Sequence, residues 1–125
     1  MAVNCEKVVS DVLAAWTRLN VDEIMTYFAE DALWDNVPMK PAKGQAAIRE
    51  MTQAFLKDTT TFTAKILRVV HAGNVVVNER VDTVTMKNGK KADIPVAGVF
   101  ELDDHGKIKV WRDYFDIATF TKQLG

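Results

Sequence analysis

The chain has 125 residues, 48% hydrophobic and 26% charged, with a net charge of −1: the make-up of one ordinary globular domain, residues 1–125. Its 16 basic and 17 acidic residues are scattered, so no strong field exists to gather nucleic acid or an anionic membrane, and neither is expected as a partner. One cysteine, Cys5, cannot close an internal disulfide, His71 and His105 are too few for a zinc cluster, and Met1 to Cys5 lacks a signal-peptide pattern; a cytoplasmic protein is expected.

In chain order, Val8, Val9, Val12, Leu13, Trp16 and Leu19 share one side of a first helix. Asn20 with Glu23 reads as a capping box opening a shorter helix that carries Ile24, Met25 and Phe28 and ends near Asp31. Ala32 to Asn36 is extended, and Pro38, Pro41 and Gly44 punctuate a loop. A third helix turns Ala47, Ile48, Met51 and Phe55 inward. Strands follow. Phe62, Ala64 and Ile66 alternate, a turn at Ala72–Asn74 leads into Val75 to Met86, and Asn88-Gly89 is a hairpin signal. Ala92 to Leu102 returns, Asp104-His105-Gly106 turns again, and Lys107 to Asp116 is the last strand before a short helical tail. Helices first and an antiparallel meander second give an α+β fold. Pro95 and Gly98 in one strand suggest a bulge or bend, and a curved sheet closing on helices would enclose a pocket.

Alternation places Asn78, Arg80, Asp82 and Val84 on one face of the Val75–Met86 strand. If that face looks inward, an arginine and an aspartate are buried side by side, which is costly unless each serves the other. In the last strand Trp111 and Phe115 flank Asp113, as around a buried carboxylate. A two-residue Asn88-Gly89 turn sets Asp82 opposite Pro95, and a three-residue Asp104–Gly106 loop sets Pro95 opposite Phe115; the two aspartates then share a face. Swapping the loop lengths sets Asp82 opposite Ile94 and keeps the agreement, whereas two two-residue loops break it. Two strand spacings, about 10 Å, leave room for an arginine fork, a water and a small ring. Asn36 can donate and accept, and so could hold that water. Singly, each feature has a plainer reading: a surface ion pair for Arg80 and Asp82, core for Trp111 and Phe115, a turn residue for Asn36. The histidines fall on turns, and Cys5 reads as inert.

Together, Asn36 before Val37-Pro38, Glu79-Arg80-Val81-Asp82, Gly98-Val99-Phe100 and Trp111-Arg112-Asp113-Tyr114-Phe115-Asp116 resemble the limonene-1,2-epoxide hydrolase family, within the NTF2-like and SnoaL-like cone folds. Asp82 follows Asn36 by 46 residues and Asp113 follows Asp82 by 31, as in that pattern. The resemblance implies a bent mixed sheet with three main helices, and a homodimer packed through the sheet. It also implies hydrolysis of lipophilic cyclic epoxides to vicinal diols in one step, without cofactor or metal. By the same correspondence Asp113 is the base that takes a proton from water, Asn36 the water holder, Asp82 the acid and Arg80 the bridge. The family's water-holding tyrosine is Trp34 here; its N–H either donates to the water or only shapes the pocket. Candidate walls are Met25, Phe55, Val84, Ile94, Val96, Trp111, Phe115 and Phe120. A steroid isomerase or polyketide cyclase on the same fold would need one base facing an oxyanion donor. A non-catalytic binding or dimerisation module would have no use for paired inward carboxylates.

Overall fold

The computed structural model describes residues 3–125. Helix α1, Cys5–Thr17, starts where the Asn4 side chain accepts the Lys7 N–H, and it buries Val9, Val12, Leu13 and Trp16. Asn20 caps α2, Val21–Met25, by accepting the Glu23 N–H. The box closes only halfway, because the Glu23 carboxylate takes Arg18 at 2.8 Å instead. This helix is shorter than its sequence suggests. Phe28 already opens strand β1, Phe28–Asn36. After the two-residue strand β2, Ala42–Lys43, α3 spans Gln45–Leu56 and buries Ile48, Thr52 and Leu56.

Four longer strands follow: β3, Thr59–Ala72, β4, Val75–Met86, β5, Lys91–Leu102, and β6, Ile108–Tyr114. They form one curved sheet in the order β2-β1-β6-β5-β4-β3. The α+β cone and the mixed sheet are as expected: β1 runs parallel to β6, and all other neighbours are antiparallel. The parallel pair explains the early start of β1, whose Phe28 faces Ile108. Ile108 N–H in turn donates to the Tyr27 carbonyl at 2.8 Å. A fourth helix, α4, Ile117–Leu124, is capped by Asp116. No described helix is long and apolar enough to cross a membrane.

The register corrects two expectations. No bulge exists at Pro95 or Gly98, since the β4–β5 ladder runs unbroken from Val75↔Glu101 to Thr85↔Lys91. Pro95 is tolerated because β6 pairs with β5 only from Ala97 onward, leaving one side of Pro95 without a strand to serve. The irregularities lie elsewhere: in β1 between Phe28 and Leu33, in β3 between Thr59 and Thr61 and between Ile66 and Arg68, and between β5 and β6 near Glu101 and Leu102. The turns differ as well. Met86 N–H donates to the Lys90 carbonyl, and Asp103 N–H to that of Lys107. Both hairpin loops therefore hold three residues, with Gly89 and Gly106 at positive φ. Two odd loops alone would turn Asp82 and Asp113 to opposite faces. The bulge restores the match: Leu102 faces Ile108 but Glu101 faces Val110, so Lys109 is an extra residue. Beyond it Phe100 faces Trp111 and Gly98 faces Asp113, while Asp82 faces Ile94.

Candidate active site

That register brings Asn78, Gly98 and Asp113 side by side across β4, β5 and β6, with Arg80 and Asp82 next along β4. Asn78, Arg80, Asp82 and Asp113 are all buried. The Arg80 fork grips Asp82 twice, Nε to Oδ1 at 2.9 Å and Nη2 to Oδ2 at 3.2 Å. Nη2 also donates to Asp113 Oδ2 at 2.7 Å. Trp111 Nε1 donates to the other oxygen, Asp113 Oδ1, at 2.8 Å. Each Asp113 oxygen keeps a lone pair for a further donor. A bidentate guanidinium fixes both direction and distance, which a point charge cannot do.

One guanidinium stands between two carboxyl groups, so full ionisation leaves an excess negative charge in a poorly solvated place. The strain falls on Asp82. Burial pushes its pKa from the ordinary 3.8 up to about 6; Arg80 opposes the rise and the Asp113 charge adds to it. Burial works against the charge on Arg80, but the two carboxylates outweigh it and raise its pKa above the ordinary value. The arrangement can keep one carboxyl protonated beside one that is ionised, the pairing that general acid–base chemistry needs.

The groups open into a cavity of about 460 Å³ whose walls are mostly apolar. Asn36, Arg80, Asp82 and Asp113 all line it. So do Phe55, Val84, Ile94 and Val96, and beyond them Trp111, Phe115 and Phe120. Asn36 ends β1 directly beside Asp113, and the next residue, Val37, donates its N–H to the Asp113 carbonyl at 2.9 Å. Met25 does not reach the cavity. With Phe28 already in β1, α2 turns Met25 to the opposite side, where it is buried beside a surface groove lined by Asp22 and Lys107.

Trp34 lines the cavity with its ring, but its N–H is enclosed and has no hydrogen-bond partner. Aromatic packing holds it there: Trp16 lies edge-on at 5.5 Å and Trp111 tilted at 5.6 Å. An enclosed N–H offers little surface to a water, which favours the wall of the two roles open to Trp34. Trp16, Phe62 and Met51 also line the cavity. Their inward helix and strand positions were legible, but not that they face a void rather than core. Met39, Ala54, Ile117 and Thr121 complete the lining; of these, Met39 comes from the proline loop, whose sequence gives no such signal. His71 is exposed beside Glu6, and His105 is exposed in the β5–β6 hairpin. Neither lines the cavity. His71 is the penultimate residue of β3 rather than lying on the turn itself.

Comparison with known proteins identifies relatives of the chain and of its fold. The epoxide hydrolase EphG of Mycobacterium tuberculosis is 30% identical over 112 residues, covering 90% of this chain and 73% of that protein. The solved structure of a limonene-epoxide-hydrolase-like epoxide hydrolase from M. tuberculosis superposes with a TM-score of 0.83 at 28% identity, covering 96% of this chain and 89% of the other. The epoxide hydrolase/cyclase-like enzyme SalBIII, linked to pyran ring formation in salinomycin, shares the fold at a TM-score of 0.82 and 21% identity, with 92% of each chain covered. The family model of the limonene-1,2-epoxide hydrolase catalytic domain matches residues 3–125, and the chain belongs to that family.

Proposed function

We propose that this protein opens a lipophilic cyclic epoxide to a vicinal diol by adding water in one acid–base step. The observation that carries the reading is the buried Asp82–Arg80–Asp113 array at the floor of an apolar cavity, with Asn36 beside Asp113. A water held between Asn36 and Asp113 loses a proton to Asp113 as its oxygen attacks an epoxide carbon. The C–O bond breaks, and Asp82 gives its proton to the departing oxygen. Arg80 bonds both carboxyl groups throughout, so the gain of charge on one and its loss on the other occur across a single fixed fork. Proton return from Asp113 to Asp82 resets the site. The apolar walls bind the hydrocarbon part of the substrate and exclude competing water. The homodimer is proposed through the outer sheet face, where Val70 and Tyr114 are exposed.

The other route to a diol passes through a carboxylate ester and calls for an activated base, usually histidine, next to the nucleophile. Both histidines of this chain lie outside the cavity, and each aspartate of the array is held by Arg80. The experiment is a single turnover of a racemic cyclic epoxide in ¹⁸O-water with enzyme in excess. Direct attack labels the first diol. No diol at all overturns the hydrolase reading. An unlabelled first diol, or a covalent adduct on Asp113, overturns the one-step mechanism only.

A further inference from the structure

We propose that Asn78 and Gly98 are positioning residues that hold the Arg80 fork in its bridging orientation, an inference that rests on reading Asp82 and Asp113 as the reacting groups. A guanidinium has three nitrogens, and the aspartates use two of them, Nε and Nη2. The third, Nη1, donates to Asn78 Oδ1 at 3.0 Å. Arg80 is only 1% exposed, so solvent does not stand in for that acceptor. Without it, rotation of the fork would satisfy Nη1 on a carboxylate and give up the simultaneous bridge. The orientation of the Asn78 amide follows from the donor it faces, because only its oxygen can meet an N–H. The amide nitrogen is buried with no partner of its own. A polar side chain kept inside at that cost is held by what its oxygen does.

Gly98 acts on the same nitrogen from the neighbouring strand. It sits between Asn78 and Asp113 in the paired ladders. A Cβ at this position would overlap Arg80 Nη1 and come within 2.9 Å of Asp113 Oδ1 and 3.0 Å of Asn78 Oδ1. The backbone of Gly98 is ordinary strand with no positive φ, so glycine is required here for clearance rather than for conformation. Asn78 supplies the stop against which the fork rests, and Gly98 supplies the space it occupies.

Asn78→Leu keeps the volume and removes the acceptor, while Gly98→Ala crowds the donor. Both are compared with the parent for kcat, KM, the ¹³C titration of the Asp82 carboxyl and a crystal structure. Asn78→Leu should lower kcat by about 10–100-fold, the usual loss when a supporting hydrogen bond to a site group is removed. KM should stay within a few-fold, since Asn78 does not line the cavity. Asp82 should titrate higher than in the parent, because the Arg80 pull that opposes its rise slackens. Gly98→Ala should show the same two effects with Arg80 displaced. A folded Asn78→Leu protein with unchanged kcat and an unchanged Asp82 titration overturns the proposal, as does an Arg80 that still bridges both aspartates in both variants. A parent that opens no epoxide refutes the functional reading instead, and the titration and crystal structures then still decide whether these residues position Arg80.

Discussion

Replacing Asp82 by asparagine removes a titration as well as a proton donor, and the two effects can be measured apart. The Asp82 pKa rises from 3.8 to about 6 on folding. A proton is therefore held more tightly by the folded protein than by the unfolded chain. The stabilisation this gives is complete below about 3.8 and is lost as pH rises through about 6. At about 1.4 kcal/mol per pH unit the displacement corresponds to about 3 kcal/mol. The amide of the variant does not titrate, so Asp82→Asn lacks this loss. Urea unfolding at pH 4, 5, 6 and 7 gives the free energy of each protein. The stability of Asp82→Asn relative to the parent should climb by roughly 2–3 kcal/mol between pH 4 and pH 7. Its offset at any one pH is less informative, because the amide also disturbs the Nη2 contact. A difference that stays flat with pH would refute the claim that Asp82 carries the raised pKa. A difference that falls would mean Arg80 outweighs burial and holds the carboxyl ionised.

The same protonation should govern rate. Asp82 acts as an acid only while protonated, so kcat/KM should decline about tenfold per pH unit above an apparent pKa near 6; a profile level from pH 6 to 9 excludes Asp82 as the donor. Asp113→Asn should lower kcat by about 10²–10⁴-fold with the fold intact, as read by turnover and thermal melting, since it removes the acceptor of the water's proton. Arg80→Lys should lose activity on a similar scale, because an ammonium cannot grip Asp82 twice and reach Asp113 as well; near-parental turnover would demote the bridge to a bystander. At Trp34, whose N–H is enclosed, Phe and Tyr variants should match each other in kcat within a few-fold. A Tyr variant tenfold faster than Phe would show that a hydroxyl there reaches the water.

Much of this site was legible because it lies on strands whose alternation is visible over short spans. Asn78, Arg80 and Asp82 share a face by period alone, and Asp113 is flanked in alternation by Trp111 on its strand and Phe115 just past its end. What alternation could not give was the sum of turns and bulges between the strands. Both hairpins proved one class of loop, and the extra residue, an exposed lysine between buried Ile108 and half-buried Val110, leaves no mark in the sequence. The parallel pairing of β1 with β6 joins segments from the two halves of the chain, Phe28 to Ile108 and Asn36 to Asp113. Nothing local announces it, so Phe28 read as helix and Met25 as a pocket wall. Gly98 read as a bend for the same reason: its work is to leave room for side chains from β4 and β6, and that need exists only once the three strands are assembled.

The single extra residue in β6 also governs how this family member can change length. Side chains alternate with a period of two, so Ile108 and Trp111, three apart and both buried, share a face only because Lys109 stands outside the ladder. Deleting Lys109 would close the ladder across Ile108 and Val110 and leave Asp113 opposite Gly98. A residue added to either hairpin loop would enlarge the loop and leave the pairing in place. One residue added directly after Trp111 would instead turn Asp113 outward and bring Arg112 to the cavity face, a positive charge against Arg80. Length can change at the loops and at the bulge, but not between Trp111 and Asp113.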